Sequence, residues 1–344
     1  MRACLFLLAC LSMISPCANA QGGIELSGQV TDSANAAPLA NCNVFINGSS
    51  SGTMTDDGGY FTLSGLAPGK YKLIVSSAGY ETMTADISAD RPRLAFALAL
   101  KRKITELSSV TVAPFVPDGW ALYGKLFLDN FIGTTRNAVN CRILNEAAIH
   151  FRYSSKDNLL TVVCDEPILI ENKALGYVLR YQLDWFSFDG NDSAFHYMGY
   201  SYFKELSTKD ERTRKRWAYN RKMAYASSIM HFMRSLYGQR VKEEAFDVRR
   251  VGAGRKAHLV PDSLAIVQPD GSRILSFPGE LEVTYGRNLK RTPQTESVIR
   301  LASGSPVVIE KNGSYSPPME IFATGYWAQS EKMANLLPVD YRLP

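Results

Sequence analysis

Histidine is scarce in this chain: His150, His196, His231 and His258 are the four among 344 residues. None is followed three positions later by glutamate; Tyr153, Gly199, Arg234 and Pro261 stand there, and no H-E-x-x-H occurs. A zinc peptidase needs a His and a Glu from one segment, a second distant His and a carboxylate base, so that chemistry is excluded. No G-x-x-x-x-G-K-[ST] and no G-x-G-x-x-G after a strand is present, which removes the two common phosphate cradles. Charge of one sign is also missing. The formal net charge of +5 is too mild for a nucleic-acid protein. Beyond the first twenty residues no apolar run reaches the ~18 residues of a membrane-spanning helix.

Cysteine thins out on inspection. Of six, Cys4, Cys10 and Cys17 lie in a segment with the marks of a secretory signal. Arg2 gives the positive start, Leu5 to Ile14 the short apolar stretch, and Ala18-Asn19-Ala20 a small-x-small cleavage site before Gln21. Lipidation at Cys17 is the rival reading of Ile14-Ser15-Pro16-Cys17, against which Pro16 departs from the usual small residue. Cys42, Cys141 and Cys164 remain, an odd number without metal-ligand spacing. Cys42 and Cys164 flank apolar runs and read as buried small hydrophobes. A Cys141–Cys164 bridge stays open, because sequence does not give their separation.

What is present is a series of short alternating runs punctuated by Gly, Pro, Asp and Asn. The clearest is Gly52 to Phe61, G-T-M-T-D-D-G-G-Y-F. Val44, Phe45 and Ile46 read as a buried strand. Tyr60, Thr62, Tyr71, Leu73 and Val75 show the two-residue period of half-buried strands. Asp57-Gly58-Gly59 and Pro68-Gly69 read as tight turns. Asp56 and Asp57 offer two carboxylates, where calcium wants six or more oxygens. Gly48-Ser49-Ser50-Ser51-Gly52 fits the letters of the serine-hydrolase elbow G-x-S-x-G. That motif needs a strand before it and a helix after it, and here another β motif follows, so a Ser-rich turn is expected.

These motifs occur in the order G-x-V-x-D (Gly28–Asp32), P-L-x-x-x-x-V (Pro38–Val44), G-T-x-T-D-x-x-G-x-F, L-x-P-G-x-Y (Leu66–Tyr71) and G-Y (Gly79–Tyr80). In this the segment from about Gly22 to Val112 resembles the carboxypeptidase-regulatory-like domain. The resemblance implies a non-catalytic, seven-stranded prealbumin-like (Ig-like) β-sandwich related to carbohydrate-binding-like folds. Such domains accompany peptidases and stand at the front of TonB-dependent outer-membrane receptors. Glu106 to Val112 resembles the strand before the plug of those receptors, but the chain is far too short for a barrel. Residues 114–344 resemble the second half of Gram-negative secreted proteins that carry this domain and little else, a likeness that brings no reaction with it.

Pro114 and Pro117 mark the boundary, giving a signal segment 1–20, a sandwich 21–113 and an α+β domain 114–344. The overall class is mainly β with an α+β part. Asp118 is expected to cap a helix to Phe131 that presents Trp120, Tyr123, Phe127 and Phe131. Strands are expected between Ala147 and Phe203, with alternation over Tyr177–Phe188. Thr208–Tyr237 reads as one helix ending at Gly238. Trp217, Met223, Ala226, Ile229, Met230, Met233, Leu236 and Tyr237 lie on one face; Arg214, Lys215, Arg221, Lys222 and Arg234 oppose them. That basic face reads as solvated helix surface, with an anionic partner as the sharper alternative. Short strands follow from Phe246 to Ala323, with turns at Pro269–Gly271 and Lys311–Ser314. Ser330 is expected to cap a last helix through Leu337.

Tyr177, Tyr181, Trp185, Tyr197, Tyr200 and Tyr202 read as β-core aromatics more readily than as a sugar platform. His196 and His231 read as core or edge histidines. No residue is assigned as catalytic, cofactor-binding or metal-ligating, and no cofactor is implied. The expectation is a non-enzymatic binding or scaffold protein of the periplasm or outer-membrane surface, peripheral to the membrane, with a glycan or envelope protein as partner. The alternative is a hydrolase with an unrecognised site in 115–344.

Overall fold

The computed structural model describes residues 23–103, 113–251, 264–286 and 296–343. Residues 1–20, read above as a signal and holding Cys17, the Glu106–Val112 stretch and His258 lie outside the described residues.

Alternation over the first five residues of β4 (Tyr60–Leu66) turns Phe61 and Leu63 inward and leaves Tyr60 and Thr62 exposed. It pairs antiparallel with β1 (Ile24–Asp32), whose other edge pairs in parallel with β7 (Arg93–Leu100). The second sheet has the order β3 (Gly52–Met54), β2 (Asn43–Ile46), β5 (Gly69–Ser76), β6 (Met83–Ala89). The two sheets enclose a core that includes Leu26, Val30, Val44, Ile46, Leu73 and Leu98. This is the expected seven-stranded sandwich. The turn before β4 is built as its sequence demands. The Asp56 carboxylate accepts from the N–H groups of Gly58 at 3.0 Å and Tyr60 at 2.8 Å, and Gly59 takes φ +74°.

Runs such as V-F-I and L-I-V are apolar at every position, which fits a sheet covered on both faces. Val44, Ile46, Leu73 and Val75 point into the sandwich. Phe45 and Ile74, side by side in register, point the other way and are still buried. The Phe45 ring meets Tyr202 at 5.7 Å between centroids. Gly52 lies beneath the same ring, where a Cβ would come within 2.6 Å of Tyr202.

Tyr202 belongs to a second sheet. Its spine is β12 (Tyr177–Asp189), paired along one edge with β13 (Ala194–Glu205). Along the other edge β11 (Ile168–Asn172) and β10 (Leu159–Cys164) lie end to end, flanked by β8 (Cys141–Ile143) and β9 (Ile149–Ser154). Helix α1 (Gly119–Phe131) packs Phe127 and Phe131 on this sheet against Phe151, Tyr181 and Phe186. Asp118 occupies the N-cap position with φ 52°, but its side chain makes no cap hydrogen bond, contrary to expectation.

The single helix expected over 208–237 is two. Helix α2 (Glu211–Tyr225) is capped by Asp210, and α3 (Ile229–Tyr237) by Ser228, whose hydroxyl accepts the His231 N–H at 3.0 Å. Ser227 between them takes φ 71°, so A-S-S is a restart signal inside an otherwise helical pattern. The predicted apolar stripe breaks there: Met223 is exposed, while Phe232, Met233 and Leu236 are buried. The latter belong to a third core, with β14 (Phe246–Val251), β17 (Glu280–Tyr285), β18 (Glu296–Leu301) and β21 (Ile321–Gly325) as one sheet. Strands β15 (Ala265–Val267), β16 (Arg273–Leu275), β19 (Val307–Ile309) and β20 (Tyr315–Ser316) form the other. The described residues of 114–344 thus hold two hydrophobic clusters. The last helix is α4 (Tyr326–Ser330): Ser330 ends it rather than starting one, and its hydroxyl is buried without a partner.

Cys42, Cys141 and Cys164 are free thiols. Cys141 lies beyond Asn172, opposite the first residue of β12, while Cys164 ends β10 near the strand's far half. At ~3.3 Å per residue the two are on the order of 20 Å apart, beyond the ~7 Å limit of a disulfide. Burial pushes both thiols up to about 12.

After α4 the tail runs back across all three cores. Met333 and Ala334 donate their N–H groups to Phe131 and Ile132, Asn172 donates to the Ala334 carbonyl, and Val339 donates to Gly48. Glu331, at the start of this tail, accepts from the Ile229 N–H at 3.1 Å. Burial pushes its carboxyl up to about 7, against which that one hydrogen bond is insufficient. The folded chain therefore holds a proton there that the unfolded chain loses near pH 4.5. Stability from this site is present below that pH and falls as pH rises through about 7. Glu331→Gln, which keeps the acceptor, is expected to stabilise the protein at pH 8 by about 2 kcal/mol and to flatten that pH dependence. Thermal unfolding at pH 5 and pH 8 checks it.

Candidate functional site

A cavity of about 270 Å³ opens where the sandwich faces the outer side of the β12 sheet. The sandwich wall carries amides and hydroxyls: Asn41 and Asn43 beside β2, and Ser76, Ser77 and Thr82 around the β5–β6 connection. Tyr80 is fixed in that wall by Asp32. The buried Asp32 carboxylate accepts from the Ala34 N–H at 2.8 Å, the Tyr80 hydroxyl at 2.9 Å and Arg102 Nε at 2.8 Å. The Ala34 amide, with Tyr80 and Arg102, holds that carboxyl below the usual range. Lys103 continues the wall.

The opposing wall is Arg180 and Gln182 from β12 with Asp165, Glu166 and Pro167 from the β10–β11 connection. Arg180 and Gln182 are the polar positions of the Tyr177–Leu183 alternation, whose other positions fill the core. Arg180 is half-buried, and burial lowers the pKa of its guanidinium. Neither Arg180 nor Lys103 makes a side-chain hydrogen bond or ion pair among the described residues, and nor do Asn43, Gln182 or Ser77. The two carboxylates are engaged instead. Asp165 meets His150 Nε2 at 2.7 Å, and Glu166 accepts from Asn145 at 3.0 Å. The site is thus a wet, polar slot with unused donors and acceptors. No serine, cysteine or threonine in it contacts a base.

The aromatic group of β12 and β13 divides. Tyr177, Tyr181 and Tyr197 pack in the core, as expected. Trp185 is exposed, stacked on an exposed His196 at the edge strand β13. His231 is buried, stacked on Tyr225 at 4.6 Å and 3.3 Å from Glu244. The G-x-S-x-G segment is a turn between β2 and β3, as expected. Its residues clamp the sandwich to the rest of the chain. Gly48 N–H donates to the Ser201 carbonyl at 2.7 Å, Phe203 N–H to Ser49 at 2.9 Å, and Ser50 Oγ to Asp340 at 2.5 Å. On the basic helix face Arg214, Lys215 and Lys222 are exposed, as the solvated reading expects, whereas Arg221 and Arg234 turn into contacts with the rest of the chain. Arg221 binds the Leu175 and Gly176 carbonyls and Glu205 and stacks over Tyr177, while Arg214 and Lys215 share Glu211.

A second opening of about 610 Å³ lies between the sandwich turn at Pro68–Tyr71 and the loops at 270–272 and 310–312. Lys70 and Asp270 close an ion pair across it at 2.6 Å. Among the described residues no group of three or more His, Cys, Asp or Glu side chains could hold a metal ion, and no helix is long and apolar enough to cross a membrane.

Sequence reasoning did not single out Arg180, Gln182 or Lys103. The signal was the polar half of the Tyr177–Phe188 alternation, which alone reads as solvent-facing. Only the second covered face of β2 and β5 shows that another sheet stands opposite it.

Residues 26–112 match the CarboxypepD_reg-like domain. No curated protein matches the chain. Among solved structures, a chain of a type II cohesin–X-dockerin complex from Acetivibrio cellulolyticus is 24% identical over 23% of this chain and 58% of that one, with a TM-score of 0.21. The present chain therefore spans little more than half of that structure's length. A Bacteroides uniformis protein provisionally described as carbohydrate-binding is 7% identical over 88% of this chain and 99% of that one, TM-score 0.20. A provisionally membrane-associated Bacteroides fragilis protein of unknown function is 11% identical over 84% and 94%, TM-score 0.20. At such scores these likenesses carry no functional weight.

Proposed function

We propose that the chain is an exported, non-enzymatic binding protein of the cell envelope that takes a glycan, or the glycan-bearing surface of an envelope protein, in the cleft between its sandwich and the β12 sheet. Residues 1–20 act as the signal segment, 21–113 as the sandwich domain, and 114–344 as the α+β part that supplies the second wall. The observation that carries this reading is the set of cleft side chains left without partners inside the protein. Amides, hydroxyls and a guanidinium that converge on a slot are the groups that read a polyhydroxylated ligand. Asp165 and Glu166 are held by His150 and Asn145 rather than poised as an acid and a base.

Ala78 lines the cleft from an exposed loop. Ala78→Trp should narrow the slot while leaving the core intact. On an array of envelope glycans the variant is expected to lose at least tenfold in affinity for whatever the wild type retains, with an unchanged melting midpoint, and the wild type should release no product. Equal retention by both proteins, or turnover of a retained glycan, would refute the reading.

A further inference from the structure

The cleft's charges are distributed unequally between engaged and free groups, and this bears on which glycan it takes. Its carboxylates are committed to His150 and Asn145, whereas its two cations are not paired. Arg180 stands half-buried on the central strand of its sheet, between Leu169 and Tyr202 on the neighbouring strands, and lines the cleft. A guanidinium presents a planar fork of donors that matches a carboxylate's two oxygens. Glu166 lies near enough to act on the Arg180 charge, but among the described residues no group fills the fork's donors, and partly desolvated donors left without acceptors are costly unless a ligand supplies them. Lys103 lines the same cleft from the sandwich wall as a second positive charge. The cleft also carries Asn43, Ser77 and Gln182, neutral groups suited to ring hydroxyls, and little apolar surface apart from Met54, Tyr80 and Pro167.

We infer that the cleft is selective for saccharides bearing a carboxylate, of the uronic-acid class, with Arg180 gripping the carboxylate, Lys103 reinforcing it, and Asn43, Ser77 and Gln182 reading the hydroxyls. This rests on the glycan-cleft reading above and adds the anionic group to it. Glu166 near Arg180 keeps the site from being a general anion trap. A bare sulfate or phosphate gains the charge contact without the hydroxyl contacts and is expected to bind weakly.

The test uses the mature full-length chain and a panel of glucuronate, galacturonate, mannuronate and guluronate oligosaccharides. Each is measured by calorimetry as the free acid and as its methyl ester. At least one acid is expected to bind, with its ester at least tenfold weaker. Arg180→Gln should remove that preference, reducing acid binding at least tenfold so that acid and ester bind alike, with an unchanged unfolding midpoint. Arg180→Lys should recover only part of it, because a point charge lacks the fork. If acid and ester bind alike, and Ala78→Trp abolishes both, the cleft reading stands and the carboxylate inference falls. If no panel acid binds, or if Arg180→Gln leaves the preference intact, the inference also falls. If Ala78→Trp leaves every affinity unchanged, both fall.

Discussion

Arg234→Ala is expected to destabilise the folded chain by about 2–4 kcal/mol. Arg234 leaves α3 and donates Nε to the Asn312 carbonyl at 2.9 Å, one terminal nitrogen to Tyr341 at 3.0 Å and the other to Val339 at 2.9 Å. Its guanidinium also lies over the Tyr225 ring at 5.3 Å. One cation thus satisfies three backbone carbonyls from two segments, the 311–314 turn and the tail. Charge-assisted hydrogen bonds are stronger than neutral ones, and truncation leaves each acceptor short of a partner. Arg234→Lys should rescue little, because an ammonium does not span three diverging carbonyls. The consequence extends to the cleft. Val339 and Asp340 hold Gly48 and Ser50, so loosening the tail loosens the clamp between the sandwich and the sheet. Denaturant unfolding measures the stability, and amide exchange at 333–341 reads the tail. A loss below 1 kcal/mol, with the tail still protected, would show that Arg234 is not the hub.

Gly59→Val should cost at least about 3 kcal/mol, because two independent penalties coincide. The backbone at Gly59 sits at φ +74°, a region that a β-branched residue occupies poorly. A Cβ there would also meet the Val30 carbonyl oxygen at 2.5 Å and the Leu39 nitrogen at 3.1 Å. Those are backbone atoms of β1 and its neighbour, so relief would require moving a strand. Gly59 also supplies the carbonyl that accepts the Val30 N–H at 2.8 Å. Circular dichroism melts of wild type and variant read the difference. An unchanged midpoint would mean that the turn can be rebuilt around a side chain.

The sandwich was largely legible because its information is local. Asp56, Gly59, the alternation of Tyr60–Leu66 and the continuous apolar run Val44–Ile46 each state a turn or a burial within a few residues. The break between α2 and α3 was less legible. Ser227 and Ser228 interrupt a pattern whose helical period is otherwise unbroken, and a restart is settled by the third core gathering Ile229, Phe232, Met233 and Leu236. The cleft was not legible at all. Arg180 and Gln182 look like the wet side of a half-buried strand, and only the long-range approach of the sandwich makes that side one wall of a slot. The basic helix face was read correctly at the exposed Arg214, Lys215 and Lys222 and missed at Arg221 and Arg234, since the carbonyls of Leu175, Gly176, Val339 and Tyr341 that bind those two are distant in sequence.

The claim that the sandwich and the β12 sheet together form a binding cleft is tested most directly by hydrogen exchange on the mature protein, alone and with the glycan it retains most tightly. Protection is expected at the amides of 76–82, 165–167 and 180–182, with the glycan recovered intact. Protection confined to 68–71, 270–272 and 310–312 around the second opening, or recovery of a cleaved glycan, would contradict it.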